Sequence, residues 1–259
     1  LEGNLITHWD TWGKFQQTWN NRAYKTFKDL DKYIVVMYLI QKYFQNLSSK
    51  FQYLSMDEFY DGKKVEIAKV NLIQISYDLK IPKETIRRKI NELQNQKILI
   101  REGKSIIFNR YGMDFQKPND TIDILSLFIQ KKSKMLQGNS WFGEQLSKEQ
   151  IKIFIKKYFT VIWLRFFKLQ IPFLVRHRNT FTDLEIWMVW GNIALTHQYH
   201  LFKAAKENLL TENININNYY KNVINAQMDR GINASSISDI TAIPRATVIR
   251  KLNWLLKKD

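Results

Sequence analysis

Residues 83–93 place long polar side chains on one side of a predicted helix and aliphatic side chains on the other. With 3.6 residues per turn, the aliphatic side carries Ile86, Ile90 and Leu93. The opposite side carries Lys83, Glu84, Arg87, Arg88 and Asn91. Arginine and lysine donate to guanine, asparagine pairs with adenine, and a carboxylate accepts from cytosine. The pattern predicts a helix that reads base edges in a DNA major groove; an ordinary amphipathic helix with a solvated charged face is the alternative.

A shorter predicted helix precedes this one and would hold it in place. Asn71 is a favourable N-cap, and Ile75 and Leu79 lie four residues apart on one helical face. Pro82 has a φ suited to a first helical turn, so the second helix is expected to start near it. Residues 71–93 therefore favour a helix-turn-helix.

A predicted β-hairpin follows the second helix. Residues 96–109 contain two β-prone runs around a turn that includes Gly103. Helix, turn, helix and hairpin is the order of a winged helix. Two cationic side chains of this wing, Arg101 and Lys104, are expected to contact backbone phosphates or the minor groove.

The same stretch occurs a second time. A shift of 162 residues aligns residues 71–93 with 233–255, and ten of the 23 positions are identical. This density indicates an internal duplication. In the second copy the predicted DNA contacts are Arg245, Thr247, Ile249, Arg250 and Lys251. The chain ends at Asp259, so a second wing is expected to be absent or truncated.

Residues 75–108 resemble the winged helix-turn-helix of Crp-, GntR- and MarR-type bacterial transcription regulators. The resemblance is carried by residues 82–88, Pro-Lys-Glu-Thr-Ile-Arg-Arg, and by the Ile-Leu pair at 98–99 before the wing. It implies base reading by Lys83, Glu84 and Arg88 and a phosphate contact by Thr85. It covers about 35 residues per copy and implies nothing about ligands or signals.

Composition favours a polyanionic partner. The chain has 40 Lys and Arg against 24 Asp and Glu, a formal charge of +16, which favours nucleic acid first and an anionic membrane second. The most apolar stretch, residues 159–175, is interrupted by Arg165, Lys168 and Pro172 and is not expected to span a bilayer. Cysteine is absent, which fits a reducing compartment, and no N-terminal signal pattern is found; the chain starts without Met, so trimming remains open.

Motifs for catalysis or cofactor binding are not found in the sequence. His197 and His200 are spaced to share a metal ion, but no third ligand lies nearby in the sequence. The nine glycines form no phosphate-binding loop, and no nucleophile motif is present. We therefore expect no enzyme activity, no metal and no cofactor.

The remaining segments read as long helices. An aromatic stripe in residues 5–20 matches an apolar stripe at an offset of 154 and is typical of core rather than of base stacking. Thr26 and Thr180, each followed by Asp three residues later, predict capping boxes for helices over 27–44 and 181–206. Two helices without a counterpart are expected over 120–136 and from Ser147 to about 170, the second stopping at Pro172.

The sequence as a whole predicts a mainly α protein of two tandem winged helix-turn-helix domains with long additional helices and a small β-wing. The first repeat is placed at 1–116, a helical linker at 117–150 and the second repeat at 151–259. The expected partner is double-stranded DNA, the role transcription regulation and the location the cytoplasm, at the nucleoid. A plasmid-type replication initiator and a protein–protein scaffold are the alternatives, and the long helices could form a homodimer. Operator, signal and direction of regulation stay open.

Overall fold

The computed structural model describes residues 2–62, 65–67, 71–103, 105–109, 118–136, 145–206 and 231–257. The described chain is mainly helical with one small sheet. The helices before the wing are α1 (Glu2–Phe27), α2 (Leu30–Ser49), α3 (Met56–Asp61), α4 (Leu72–Leu79) and α5 (Lys83–Asn95). The strands are β1 (Val65–Ile67), β2 (Leu99–Glu102) and β3 (Ser105–Phe108). The later helices are α6 (Asn119–Leu136), α7 (Lys148–Lys157), α8 (Phe159–Phe181), α9 (Leu184–Lys206), α10 (Ala234–Thr241) and α11 (Arg245–Leu255).

The chain forms two compact units, each assembled from separate segments. Unit A comprises Thr26–Ser126 and Ser147–Leu184, and unit B comprises Leu1–Lys25, Leu127–Leu146 and Glu185–Asp259. The ranges 1–116, 117–150 and 151–259 follow the sequence repeat rather than this packing, and they stay a prediction.

Helix α2 is the centre of unit A. Its residues Ile34 to Met37 are at most 2% exposed, so the helix is buried on every side. Helix α8 packs against it: the ring of Phe44 stacks on Phe167 with centroids 6.4 Å apart and meets Phe159 edge-on at 6.2 Å. At the other end of α2, Arg178 donates from Nε to Asp31 at 2.8 Å and from Nη2 at 3.1 Å.

The sheet of unit A has the order β1-β3-β2 and is antiparallel throughout. Val65 and Leu99 both pair with Phe108, and all three side chains are 1% exposed, which seals one face of the sheet over α5 and α2. The turn between β2 and β3 uses Gly103 at a φ of +60°, a conformation that favours glycine. The predicted hairpin is confirmed; strand β1 was not predicted.

Unit B contains α1 and α9 packed closely together. Asn192 donates to the side-chain oxygen of Gln17 at 3.3 Å. A Cβ at Gly191 would lie 1.8 Å from Nε2 of Gln17, so any larger residue there would displace the side chain of Gln17. Two residues of the aromatic stripe of α1 lie in the core, as predicted: Phe15 is 4% and Trp19 is 6% exposed, and Phe15 stacks on Phe128 of α6 with centroids 4.6 Å apart. Trp12 is half-buried, and the side chain of Trp9 lies outside the described residues.

Each compact unit contains long helices from both halves of the sequence. Helix α1 precedes α2 in the chain, yet it belongs to unit B with α9. Helix α8 precedes α9, yet it belongs to unit A with α2. Each unit therefore combines the aromatic helix of one half of the sequence with the following long helix of the other half.

Two predicted helix starts are wrong. Asp29 is itself the N-cap of α2, because its carboxylate accepts from the backbone N of Lys32 at 3.0 Å. Thr26 belongs to the last turn of α1 and does not cap α2. Thr180 likewise lies inside α8, where its hydroxyl donates to the carbonyl of Arg176, and α9 begins only at Leu184.

The predicted basic helix is broken at a different place. The Ser147 capping box is confirmed, and α6 lies where it was predicted. The chain bends by 100° at Tyr158, between α7 and α8, and α8 then continues through Pro172. Pro172 and Lys168, the residue whose carbonyl loses its partner, both lie on the exposed side of α8, and the helix persists. Within the described ranges no single helix is long and apolar enough to cross a membrane; α7 and α8 pass that test only together, by length and composition.

Candidate nucleic-acid interface

Helices α4 and α5 are joined by a three-residue turn whose geometry follows from its residues. Asn71 caps α4, its side-chain oxygen accepting from the backbone N of Ile73 at 2.9 Å and of Gln74 at 3.3 Å. Lys80 adopts the left-handed conformation at φ 54° and ends α4. The Ser76 hydroxyl then donates to the carbonyl of Ile81 at 2.6 Å and closes the turn.

The second helix starts where the sequence predicted. Pro82 has an extended ψ of 137° and flanks α5, which begins at Lys83. Three side chains of α5 form its buried face: Ile86 and Leu93 are 0% exposed and Ile90 is 5% exposed. Burying this stripe fixes the rotation of α5 about its axis.

The opposite face of α5 is the candidate interface. Lys83, Glu84, Arg87, Arg88 and Asn91 are all exposed, and Thr85 is half-buried. Most of them border a shallow concave surface, which is lined by Glu84, Thr85, Arg87, Arg88, Asn91, Glu92 and Asn95. The structure thus brings the predicted base-reading residues of the first copy onto one exposed surface.

Arg87 and Glu84 form an ion pair on this surface. Arg87 donates from Nε to Oε1 of Glu84 at 2.5 Å, and its Nη2 pairs with the same oxygen. This hydrogen bond holds the pKa of the Glu84 carboxyl below its ordinary value and raises the pKa of the Arg87 guanidinium. Nε of Arg88 lies 3.9 Å from Oε1 of Glu92, which is one turn further along the helix.

Lys89 has a different environment from its cationic neighbours. Its side chain is 10% exposed, and Nζ lies 2.5 Å from the carboxylate of Asp29 at the N-terminus of α2. Glu92 lies 3.5 Å from the same ammonium and 3.7 Å from that of Lys32. The ion pair of Lys89 with Asp29 therefore ties α5 to α2.

A second buried link joins α2 to α4. The Tyr38 hydroxyl donates to Asp78, which also accepts from Gln74 at 2.7 Å and lies 3.8 Å from the ammonium of Lys42. Burial, and then the hydrogen bond to Asp78, raise the pKa of Tyr38 well above its ordinary value of 10.0.

The wing contributes one described cation. Arg101 is exposed on β2, and its Nε donates to the carbonyl of Gly103 at 3.2 Å. Its position beside the wing turn is where the sequence placed a phosphate contact. Lys104, the other predicted wing residue, lies outside the described residues.

Helices α10 and α11 repeat the turn geometry of α4 and α5. Asn233 caps α10 by accepting from the backbone N of Ser236 at 2.9 Å. Ala242 takes the left-handed conformation at φ 60°, and Pro244 has a ψ of 135°. The Ser238 hydroxyl donates to the carbonyl of Ile243 at 2.7 Å, as its counterpart does in the first turn.

The exposed face of α11 differs from that of α5. Arg245 and Arg250 are exposed, Thr247 is half-buried, and Ile249 is 37% exposed. Arg245 donates from Nε to the hydroxyl of Ser235 at 3.0 Å. The aliphatic side chain of Ile249 occupies the position that corresponds to Arg87.

The side chain of Lys251 has a different environment from the other predicted contacts of α11. Its side chain is 12% exposed, and Nζ lies 3.3 Å from the carboxylate of Glu185 in the first turn of α9. Lys251 therefore lies apart from the exposed row of α11 and links α11 to α9. The sequence suggested Lys251 as a DNA contact of the second copy but could not show an acidic partner 66 residues away.

Sequence reasoning also missed the role of Lys89. The signal was present, because Lys89 and Lys251 are one of the identical pairs of the two copies.

Among the described residues, no three His, Asp or Glu side chains are grouped so that they could hold a metal ion.

Comparison with known proteins identifies one region of the chain. Residues 66–103 match the model of the DeoR-like helix-turn-helix domain. The match runs from β1 through α4 and α5 to the turn of the wing. No curated protein and no solved structure matches the chain. The expectation of a winged helix-turn-helix is confirmed at the level of its class, and a domain of this class supports binding to double-stranded DNA.

Proposed function

We propose that the protein is a transcription regulator that presents two DNA-recognition helices on a single chain. The observation that carries this proposal is the exposed polar face of α5, held over a buried stripe inside the DeoR-like region. The formal charge of +16 supports a polyanionic partner. We place its action at the nucleoid in the cytoplasm, and we assign it binding rather than catalysis.

We further propose that α10 and α11 are a second copy of this reader. Their turn has the same capping residue, the same left-handed position and the same serine bond as the turn between α4 and α5. Both second helices are also tied by a lysine to an acidic residue at the start of a long helix, Lys89 to Asp29 and Lys251 to Glu185. A shared turn and a shared ion pair support a tandem duplication.

Each unit contains helices from both copies, and this supports joint action of the two copies. Unit A combines α2 with α8, and unit B combines α9 with α1. In a duplicated chain this means that each copy supplies an aromatic helix to the other, as in a domain-swapped dimer. Such a monomer would act as a dimer without a second chain, although homodimerisation through the long helices remains a further proposal.

The two readers are expected to prefer different half-sites. At corresponding positions Glu84 becomes Ala246 and Arg87 becomes Ile249. Alanine and isoleucine have no hydrogen bonds to give and can only pack on a thymine methyl or avoid the base. We therefore propose a G·C-containing half-site under α5 and an A·T-richer half-site under α11.

In-vitro selection from random duplexes tests this proposal. The full chain should select an asymmetric site with half-sites about one helical turn, ~34 Å, apart. Ile249→Arg should change the consensus in the weaker half, whereas Arg176→Ala, which alters an exposed arginine of α8, should leave it unchanged. A palindromic consensus from the parent chain, or an unchanged consensus from Ile249→Arg, would contradict the asymmetric reading.

The same experiment separates the alternative roles. A regulator should select a site near its own gene, and a replication initiator should select iterated repeats at an origin. A protein–protein scaffold should show no salt-sensitive binding to any duplex.

A further inference from the structure

We propose that Glu84 is a positioning residue, which holds Arg87 so that the two act as one specificity unit for a guanine. This deepens the proposed function and rests on it. The sequence pattern suggested two independent contacts, with Glu84 accepting from cytosine and Arg87 donating to guanine. The geometry joins them, because Oε1 of Glu84 accepts a hydrogen bond from Nε of Arg87 and forms an ion pair with Nη2 of the same guanidinium.

The contact leaves Arg87 equipped to read a base. A guanidinium has five N–H donors in a planar fork. Glu84 lies against the edge formed by Nε and Nη2, so both hydrogens of Nη1 and the outer hydrogen of Nη2 stay available. A guanine offers O6 and N7 as two acceptors in the major groove, which such an end-on pair of donors matches.

The pair has little value as a device for stability. The two side chains are 58% and 70% exposed, and ion pairs so open to water contribute little to folding. Arginine is a flexible side chain, however, and fixing its fork before the complex forms reduces the ordering that binding requires. The contact therefore has its clearest use in recognition.

The second helix-turn-helix lacks both members of the pair. Glu84 corresponds to Ala246 and Arg87 to Ile249, while Arg88 and Arg250 are the same residue. If the arginine is absent, a carboxylate at the position of Glu84 has no guanidinium to position. The joint absence is what a single unit predicts, and it supplies a natural site for a transfer experiment.

The test measures dissociation constants of the full chain on its selected duplex and on a duplex with the key guanine replaced. Glu84→Ala installs the residue found in the second copy. It should weaken binding about 3–10-fold on the guanine-containing site, a moderate pairwise coupling. The effect should vanish on the replaced site and in the Arg87→Ala background. Glu149→Ala, which removes an exposed carboxylate from the first turn of α7, is the matched control and should not change base preference.

Transfer to the second reader provides an independent measurement. Ala246→Glu together with Ile249→Arg should give a stronger guanine preference in the second half-site than Ile249→Arg alone. Equal preferences would overturn the positioning role.

The remaining outcomes are also decisive. A loss from Glu84→Ala that persists in the Arg87→Ala background would show that Glu84 reads a base by itself. Unchanged binding by Glu84→Ala, with normal binding by the parent, would refute the assignment alone. No duplex binding by the parent would refute the proposed function and this assignment with it.

Discussion

Replacing Lys89 with methionine should destabilise unit A without removing a DNA contact. Methionine keeps the apolar stem of the side chain but deletes the ammonium that faces Asp29 at 2.5 Å. Removing one partner of a fully buried ion pair costs about 3–5 kcal/mol, and removing an exposed one costs about 0–1 kcal/mol. Lys89 is 10% and Asp29 25% exposed, and Asp29 keeps its bond from the backbone N of Lys32. An intermediate loss of about 2 kcal/mol is therefore expected.

Urea-induced unfolding of the full chain, followed by circular dichroism, measures this loss. Lys83→Met is the matched control, because Lys83 lies in the same helix but is exposed. Its effect should stay within about 0.5 kcal/mol. Asp29→Asn, which retains an N-cap side chain, completes a double-mutant cycle with Lys89→Met, and a coupling of at least about 1 kcal/mol is expected.

The role of Lys251 is tested in the same way. Lys251→Met should lower the free energy of unfolding and leave the salt dependence of DNA binding unchanged, since no phosphate contact is lost. Stability of Lys89→Met equal to that of Lys83→Met would refute the proposed tie between α5 and α2. If Lys251→Met reduced the salt dependence of DNA binding and left the stability normal, Lys251 would be shown to contact a phosphate.

Four further measurements address the fold and the wing. Ala242→Gly should raise the free energy of unfolding by about 1 kcal/mol in urea titrations, because Ala242 holds a left-handed φ of 60°; a decrease would contradict this. Ile86→Ala should lower it by about 2–4 kcal/mol, since Ile86 is 0% exposed; a loss below about 1 kcal/mol would be inconsistent with a sealed core. The raised pKa of Tyr38 means that its bond to Asp78 stabilises the fold fully below pH 10.0 and less above it, where the unfolded chain gives up the proton first. The stability difference between the parent and Tyr38→Phe should therefore shrink as the pH of the urea titrations rises through that value, and a constant difference would exclude the link. Arg101→Ala should weaken binding equally on all duplexes and flatten the salt slope by about one unit per contact, and a loss on one sequence only would argue against a phosphate contact.

The helix-turn-helix could be predicted because its determinants are local. Asn71 caps α4 through its own side chain, and Pro82 sets the backbone from which α5 starts. The spacing of Ile86, Ile90 and Leu93 then specifies which face is buried. None of these features needs a partner from a distant part of the chain.

The features that were missed depend on distant partners. Strand β1 has three residues and exists through its pairing with β3, some 40 residues later. The environment of Lys251 depends on Glu185, and the 100° bend at Tyr158 has no glycine or proline to mark it in the sequence. The effect of Pro172 was overestimated because sequence alone does not say that Pro172 lies on the exposed side of α8. The assignment of α1 to unit B and of α8 to unit A has no local signature at all.

The positions shared by the two helix-turn-helix segments have different structural roles. Asn71, Ser76, Ile81 and their counterparts build the cap and the turn, and Lys89 and Lys251 tie the second helix to a long helix.

Two further shared positions lack such a role. Arg88 is 65% exposed and Asn91 is also exposed, as are Arg250 and Asn253 in the second segment. Exposed side chains that the fold does not require, repeated at the same two positions, indicate a contact common to both readers. The DNA backbone offers such a contact at every half-site, whereas the bases differ from one half-site to the next. Arg88 and Arg250 are therefore expected to supply affinity in both halves, and under the proposed function the Glu84–Arg87 pair is expected to supply the difference in base choice.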